Sequence, residues 1–170
     1  IAAAGKGTRL GADLPKVLYP IKGIPILTRI LRTFDGICQK KLLITSNASY
    51  AKINSSLEGI GGAVELIKID HTDGMADTVH QGMINVSSKY TIVIWGDQPA
   101  ISRQTALCMV NVVNQGFKCC VPLVKKINPY IAFNISSSGK LEKVLHLREG
   151  DTLPKIGIGD CGVFAFESDY

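Results

Sequence analysis

Two glycines flank a lysine in Gly5-Lys6-Gly7, which follows the apolar opening Ile1-Ala2-Ala3-Ala4 and leads into Thr8 and Arg9. A strand that runs into such glycines can turn tightly with its backbone N–H groups aimed inward, a geometry that grips phosphate oxygens. Arg9 and Lys16, the latter in Leu14-Pro15-Lys16, add two cations that can balance charge along a phosphate chain. A carboxylate, Asp97, stands in Trp95-Gly96-Asp97-Gln98-Pro99, just past the apolar run from Thr91 to Trp95. In open α/β sheets, ligands sit beyond the carboxyl ends of strands, and a hard oxygen ligand there suits a Mg²⁺ that bridges nucleotide phosphates. Gly-Asp-x-Pro is also good turn chemistry, so Asp97 as a plain turn residue is the competing reading.

The glycine run itself admits alternatives. One is an ordinary surface loop with stray basic residues. Another is a dinucleotide-binding turn, since Gly5, Gly7 and Gly11 imitate that spacing. Such a site wants a carboxylate at the end of the second strand for the ribose hydroxyls, and here that strand ends Thr45-Ser46-Asn47. The G-x-x-x-x-G-K-[ST] pattern of a Walker loop is absent.

The elements that must position these residues follow from hydrophobic period. Ile1 to Ala3 reads as the end of a strand, so the first strand is expected to begin upstream and the chain to be a fragment. Pro25 suits a helix's first turn, and Ile26, Leu27, Ile30, Leu31 and Phe34 form a helical stripe. Leu42 to Thr45, Val64 to Ile69 and Thr91 to Trp95 read as buried strands. Between them, Tyr50, Ile53 and Leu57 mark a helix stopped by Gly59, and Met75, Val79 and Met83 mark another, with Asp73 as an expected cap. Ser102 is a good N-cap for a helix through Val113, with Gly116 as its stop. Beyond it the pattern changes to strands: Cys119 to Val124, Tyr130 to Ile135, Lys140 to Leu147 and Val163 to Phe166, with a hairpin turn over Ser136 to Gly139. Alternation followed by hairpins predicts an α/β fold, a mostly parallel sheet with an antiparallel extension.

The 170 residues suit one domain, and the 46% apolar and 19% charged composition excludes a disordered chain or a coiled coil. No apolar run approaches the ~18 residues of a membrane span, and the opening lacks a signal-peptide layout. The net charge of +5 favours anionic partners. Its basic residues are scattered: Lys40-Lys41 and Lys125-Lys126 are the only doublets and neither lies among aromatics, which argues against nucleic acid. The five cysteines, Cys38, Cys108, Cys119, Cys120 and Cys161, are odd in number and lack C-x-x-C spacing. They are expected to be buried free thiols in a reducing cytosol, with Cys119 and Cys120 on opposite sides of a strand.

Ala3-Ala4-Gly5-Lys6-Gly7-Thr8-Arg9, then Leu14-Pro15-Lys16-Val17-Leu18 and Gly23-Ile24-Pro25-Ile26-Leu27, resemble the signature of the sugar-1-phosphate nucleotidyltransferases. Within the wider MobA-like superfamily, the pattern is most similar to the pyrophosphorylase domains of the N-acetylglucosamine-1-phosphate uridylyltransferases. The likeness is dense to Leu27 and looser beyond. It implies a Rossmann-like three-layer α/β/α sandwich of the GT-A-like nucleotidyltransferase type, spanning residues 1–170 as one domain.

The resemblance also implies a Mg²⁺-dependent transfer from UTP to a sugar 1-phosphate, with release of pyrophosphate. Ala3, Ala4, Gly5, Lys6, Gly7 and Thr8 would bind the nucleotide, and the amides from Gly5 with the Arg9 guanidinium would hold the departing pyrophosphate. Lys16 would neutralise the α-phosphate, and Asp97 would bind the metal. Asp73-Gly74-Met75-Ala76-Asp77 falls where the family has Gly-Thr-Gly-His-Ala lining the base pocket, and there Gly74 matches. Departures lie on the acceptor side. Tyr130-Ile131-Ala132 replaces Tyr-Gly-Arg, His146 replaces a sugar-binding glutamate, and Asp160-Cys161-Gly162 replaces Asn-Thr-Gly. The family's second metal ligand, a later asparagine, has no counterpart before Tyr170. Two further readings therefore stay open: a MobA-like transferase of a non-sugar phosphorylated acceptor, and a nucleotide-binding module without turnover.

Overall fold

A computed structural model describes residues 1–5, 14–58 and 64–168. They fall into two compact units, one of residues 1–120 with 164–170 and one of residues 121–163.

In the first unit, the small side chains of Ala2, Ala3 and Ala4 let the opening segment lie between two flanking strands, all three alanines being buried. Lys16–Leu18 forms a 3₁₀ turn, and β1 (Pro20–Ile21) and β2 (Ile24–Pro25) make a two-rung hairpin. Its bend, Lys22-Gly23, has φ of 50° and 76°, the left-handed pair that matches strand twist in a two-residue turn. There follow α1 (Ile26–Thr33), β3 (Lys41–Ser46), α2 (Asn47–Leu57), β4 (Val64–Ile69), α3 (Met75–Met83), β5 (Tyr90–Ile94), α4 (Arg103–Asn114) and β6 (Cys119–Cys120).

β3 and β4 pair in parallel, Lys41 opposite Val64 through Ser46 opposite Ile69. Ala2 bridges Ile44 on one side and Trp95 on the other, both in parallel. The order is thus β4, β3, opening segment, β5, with all carboxyl ends at one edge. On its other side β5 neighbours β11 (Val163–Glu167), which pairs antiparallel with β6. Ala3 packs with Val17, Leu18, Leu27, Leu31, Leu43 and Ile53 in one apolar cluster, while Ala4 packs with Ile44 and Ile69 in another. Consecutive strand residues face opposite sides, so α1 and α2 cover one face. α3 approaches Ile44 so closely that a methyl on Gly82 would lie 2.8 Å from its Cδ1.

A cavity of about 580 Å³ opens at the amino ends of these strands, lined by Ile1, Leu42, Val79, Met83, Tyr90 and Val113 among others. There the Ile1 nitrogen donates to the Leu42 carbonyl at 2.8 Å.

The second unit holds β7 (Leu123–Ile127), β8 (Ile131–Ile135), β9 (Leu141–His146) and β10 (Ile156–Asp160). β8 and β9 form the expected antiparallel hairpin, turning at Gly139 with φ 82°, and β7 pairs antiparallel with β10.

Several expectations are corrected here. The strand expected over Cys119 to Val124 is two, β6 and β7, because Pro122 has no N–H to give a ladder. β10 was not expected from Ile156-Gly157-Ile158-Gly159, whose glycines look like breakers. In fact a methyl on Gly157 would meet Ala132 Cβ at 3.4 Å, and one on Gly159 would meet the Ile131 carbonyl at 3.0 Å, so the missing side chains let β10 close on β8. Helix α2 begins at Asn47, ahead of Tyr50, and the Gly59 stop lies outside the described residues. The five cysteines are free, but none is fully buried: Cys38, Cys120 and Cys161 are half-buried, and Cys108 and Cys119 are exposed, α4 turning Ala106, Met109 and Val113 inward and leaving Cys108 outward. Among the described residues no helix is long and apolar enough to cross a membrane.

Candidate active site

The opening segment reaches the carboxyl edge of the sheet on a continuous ladder. Ala2 N–H donates to the Ile94 carbonyl at 3.0 Å, Ala3 N–H to the Ile44 carbonyl at 2.8 Å, and Gly96 N–H to the Ala2 carbonyl at 2.9 Å. Gly5 is therefore delivered beside the end of β5, where Asp97 follows. Lys6, Gly7, Thr8 and Arg9, to which sequence assigned phosphate contacts, lie outside the described residues.

Lys16 arrives at the same place by another route. Its 3₁₀ turn closes with Leu18 N–H on the Pro15 carbonyl at 2.8 Å and Tyr19 N–H on the Lys16 carbonyl at 3.1 Å. Val17 and Leu18 are buried against Ala3, Leu27 and Leu31, which anchors the turn and leaves the Lys16 side chain free to project. The Lys16 ammonium donates to Asp97 Oδ2 at 2.5 Å. Asp97 sits within a tight turn in which Gln98 N–H donates to the Trp95 carbonyl at 3.1 Å. The turn expected of Gly-Asp-x-Pro is formed, and its carboxylate carries an ion pair. The Lys16 and Asp97 side chains keep 44% and 37% of their exposure, so this pair is worth at most about 1 kcal/mol and a ligand can separate it.

Beyond the opening segment and β3, at the end of β4, the chain enters α3 through Gly74 with φ 137° and ψ −167°, a backbone region open essentially to glycine. Gly74 itself is the N-cap, and the expected Asp73 cap is not formed. Instead Asp73 N–H donates to Asp77 Oδ2 at 3.1 Å, and Gln81 Nε2 donates to the same oxygen at 2.9 Å. That backbone donor, with help from Gln81 and Thr72, holds the Asp77 carboxyl below the usual range. Thr72 Oγ1 donates to the Gly74 carbonyl at 2.7 Å and meets the buried Thr78 hydroxyl at 2.8 Å. Asn47 Nδ2 donates to Asp70 Oδ1 between the ends of β3 and β4. Sequence reasoning missed this last pair. Its signal was the register, since residues following Ser46 and Ile69 must emerge side by side.

The acceptor-side positions belong to the second unit. His146 meets Tyr130 edge-on at 5.0 Å, and its buried Nδ1 has no hydrogen-bond partner. His146 N–H donates to Asp151 Oδ2 at 2.9 Å and Lys143 Nζ to Asp151 Oδ1 at 2.9 Å, which together hold the Asp151 carboxyl low. Asp160 Oδ1 accepts from Gly162 N–H at 2.6 Å, so one carboxylate oxygen is committed to its own turn.

Beside Lys16 the described residues offer a divalent ion a single carboxylate, Asp97. Among the described residues no three His, Cys, Asp or Glu side chains gather to hold a metal. Magnesium is typically bound through one or two carboxylates plus phosphate oxygens, keeping several waters. Asp97 is such a carboxylate, and the Lys16 ammonium at its Oδ2 marks the position as one that accepts a cation.

Over residues 1–156 the chain matches the MobA-like NTP transferase domain. It belongs to that family. The bifunctional protein GlmU of Anaplasma marginale (strain Florida) is 27% identical over 165 residues, covering 92% of this chain and 38% of the relative. The chain therefore spans under two-fifths of the length of that curated relative. Among solved structures, HddC from Yersinia pseudotuberculosis is similar with a TM-score of 0.73 and 18% identity, covering 98% of this chain and 75% of the other. The 4-diphosphocytidyl-2C-methyl-D-erythritol synthase of Anaerococcus prevotii gives a TM-score of 0.69 at 16% identity, covering 98% and 68%. At these identities the structures establish the fold alone, a mixed α/β nucleotidyltransferase fold.

Proposed function

We propose that this chain carries the nucleotidyl-transferring site of a Mg²⁺-dependent enzyme that joins a nucleoside monophosphate, UMP by preference, to a sugar 1-phosphate. The observation that carries the reading is the Lys16–Asp97 pair, set at the carboxyl edge beside the strand that feeds the glycine run. In the reaction, an acceptor phosphate oxygen forms a bond to the α-phosphorus while the bond from that phosphorus to the bridging oxygen of the β-phosphate breaks. Pyrophosphate leaves with the electron pair. Two anions must meet, so positioning and charge neutralisation supply most of the rate. Asp97 would hold the metal, which when bound supplies charge neutralisation between the α-phosphate and the incoming phosphate. Lys16, released from Asp97, would neutralise the α-phosphate. The amides of Gly5 onward, with Arg9, would hold the pyrophosphate, and Gly74 would border the base. The Rossmann-like three-layer arrangement and a reducing cytosol as workplace belong to the same proposal.

A second reading, a non-sugar phosphorylated acceptor, is favoured by Ile131, Ala132, His146 and Asp160 standing where sugar-binding groups stand in the uridylyltransferases. Pyrophosphate release over a matrix of the four common nucleoside triphosphates and several phosphorylated acceptors tests both. Divalent-dependent release with UTP and a sugar 1-phosphate is expected. Release confined to a non-sugar acceptor would favour the second reading, and nucleotide binding without release under any pairing would point to a silent module.

A further inference from the structure

The structure assigns Gly96 as the positioning residue that sets the spacing of Lys16 from Asp97. The inference rests on the reading of those two charges given above. Gly96 directly precedes Asp97, and Val17 directly follows Lys16. A methyl group on Gly96 would lie 2.7 Å from Val17 Cγ1, 2.9 Å from the Ala2 carbonyl oxygen and 3.3 Å from Ala3 Cβ. Gly96 is not among the residues with positive φ, so its backbone is open to any side chain. The requirement for glycine here is space. Two segments converge on its missing side chain at the end of β5: the opening strand and the 3₁₀ turn.

Neither can yield cheaply. Val17 is 4% exposed and packs with Ala3, Leu27 and Leu31. Ala2 is tied on both sides by the ladder, and its carbonyl accepts Gly96 N–H at 2.9 Å. A side chain at position 96 would lift the 3₁₀ turn, and Lys16 would move with it. Gly96 touches neither phosphate nor metal in this arrangement; it acts through the two residues on either side of the contact.

The test compares Gly96→Ala, Val17→Ala and the double variant with Asp97→Asn and Lys16→Ala as references. Gly96→Ala is expected to lower kcat for pyrophosphate release on the order of 10²-fold, the loss that ~1 Å misplacement brings, with KM for the nucleotide nearly unchanged. In its crystal structure Lys16 Nζ and Asp97 should no longer lie within ion-pair distance. Val17→Ala, which empties part of the seat, should also lower kcat, and adding it to Gly96→Ala should recover part of the loss. A folded Gly96→Ala variant with kcat within about twofold of wild type, or with the ion pair intact, overturns the inference. So does a double variant no better than the single one. Should Gly96→Ala not fold, Val17→Ala at wild-type kcat overturns it as well. If Asp97→Asn and Lys16→Ala leave turnover untouched, the proposed function has failed, and the Lys16–Asp97 distance in Gly96→Ala still decides the role of Gly96.

Discussion

Lys16 and Asp97, 81 residues apart in sequence, are joined by an ion pair of 2.5 Å at the carboxyl edge of the sheet. Each charge is satisfied by the other until a ligand separates them. A lysine ammonium and a divalent ion compete for the same carboxylate oxygen, so Lys16→Met should tighten divalent binding to the nucleotide-free chain. A gain of roughly two- to fivefold is expected from the worth of an exposed pair, read as Mn²⁺ affinity by electron paramagnetic resonance. Equal affinity in both proteins would show that the pair does not guard Asp97.

Asp97→Asn should remove divalent-dependent turnover while leaving the melting temperature close to wild type, because an exposed pair contributes about 1 kcal/mol at most. Lys16→Ala should lower the rate by orders of magnitude, since a lost cation at the reacting phosphate costs several kcal/mol. A change below about twofold in Lys16→Ala would exclude the lysine from the chemistry.

Gly74→Ala forces a Cβ into a backbone conformation that only glycine tolerates. A loss of about 1–3 kcal/mol is expected by denaturant titration, together with a raised nucleotide KM if the turn borders the base. Unchanged stability would mean that the turn relaxes freely.

Asp151 is held below the usual carboxylate range by His146 N–H first and Lys143 second. A depressed carboxyl stabilises the folded chain above its unfolded pKa of about 3.9 and loses that contribution as pH falls through the folded value. Asp151→Ala should therefore melt below wild type at neutral pH, with the gap closing under more acidic conditions. A gap independent of pH would place the effect in packing.

Much of the first unit was legible because its signals are local. Ser102 capped α4 as expected, its hydroxyl accepting Thr105 N–H at 3.0 Å. The strand at β5 and the carboxylate beyond it followed from one apolar run. That Lys16 and Asp97 serve one site came only from the family resemblance, and their direct ion pair was not anticipated, since nothing in a single sequence brings distant charges together. The second unit was read less well. β10 depends on Gly157 and Gly159 closing on β8, a tertiary reason for glycine that looks locally like a reason against a strand. Gly96 escaped notice in the same way. Its value lies in Val17 and Ala2, which a one-dimensional pattern cannot place beside it.

The cavity of about 580 Å³ lies at the amino ends of the strands whose carboxyl ends carry Lys16 and Asp97. A substitution at Val79 or Val113, on the wall of that cavity, is therefore a remote control for the variants at Lys16 and Asp97. Any turnover it cost would have to be lost through stability, since neither valine lies at the edge where the two charges meet.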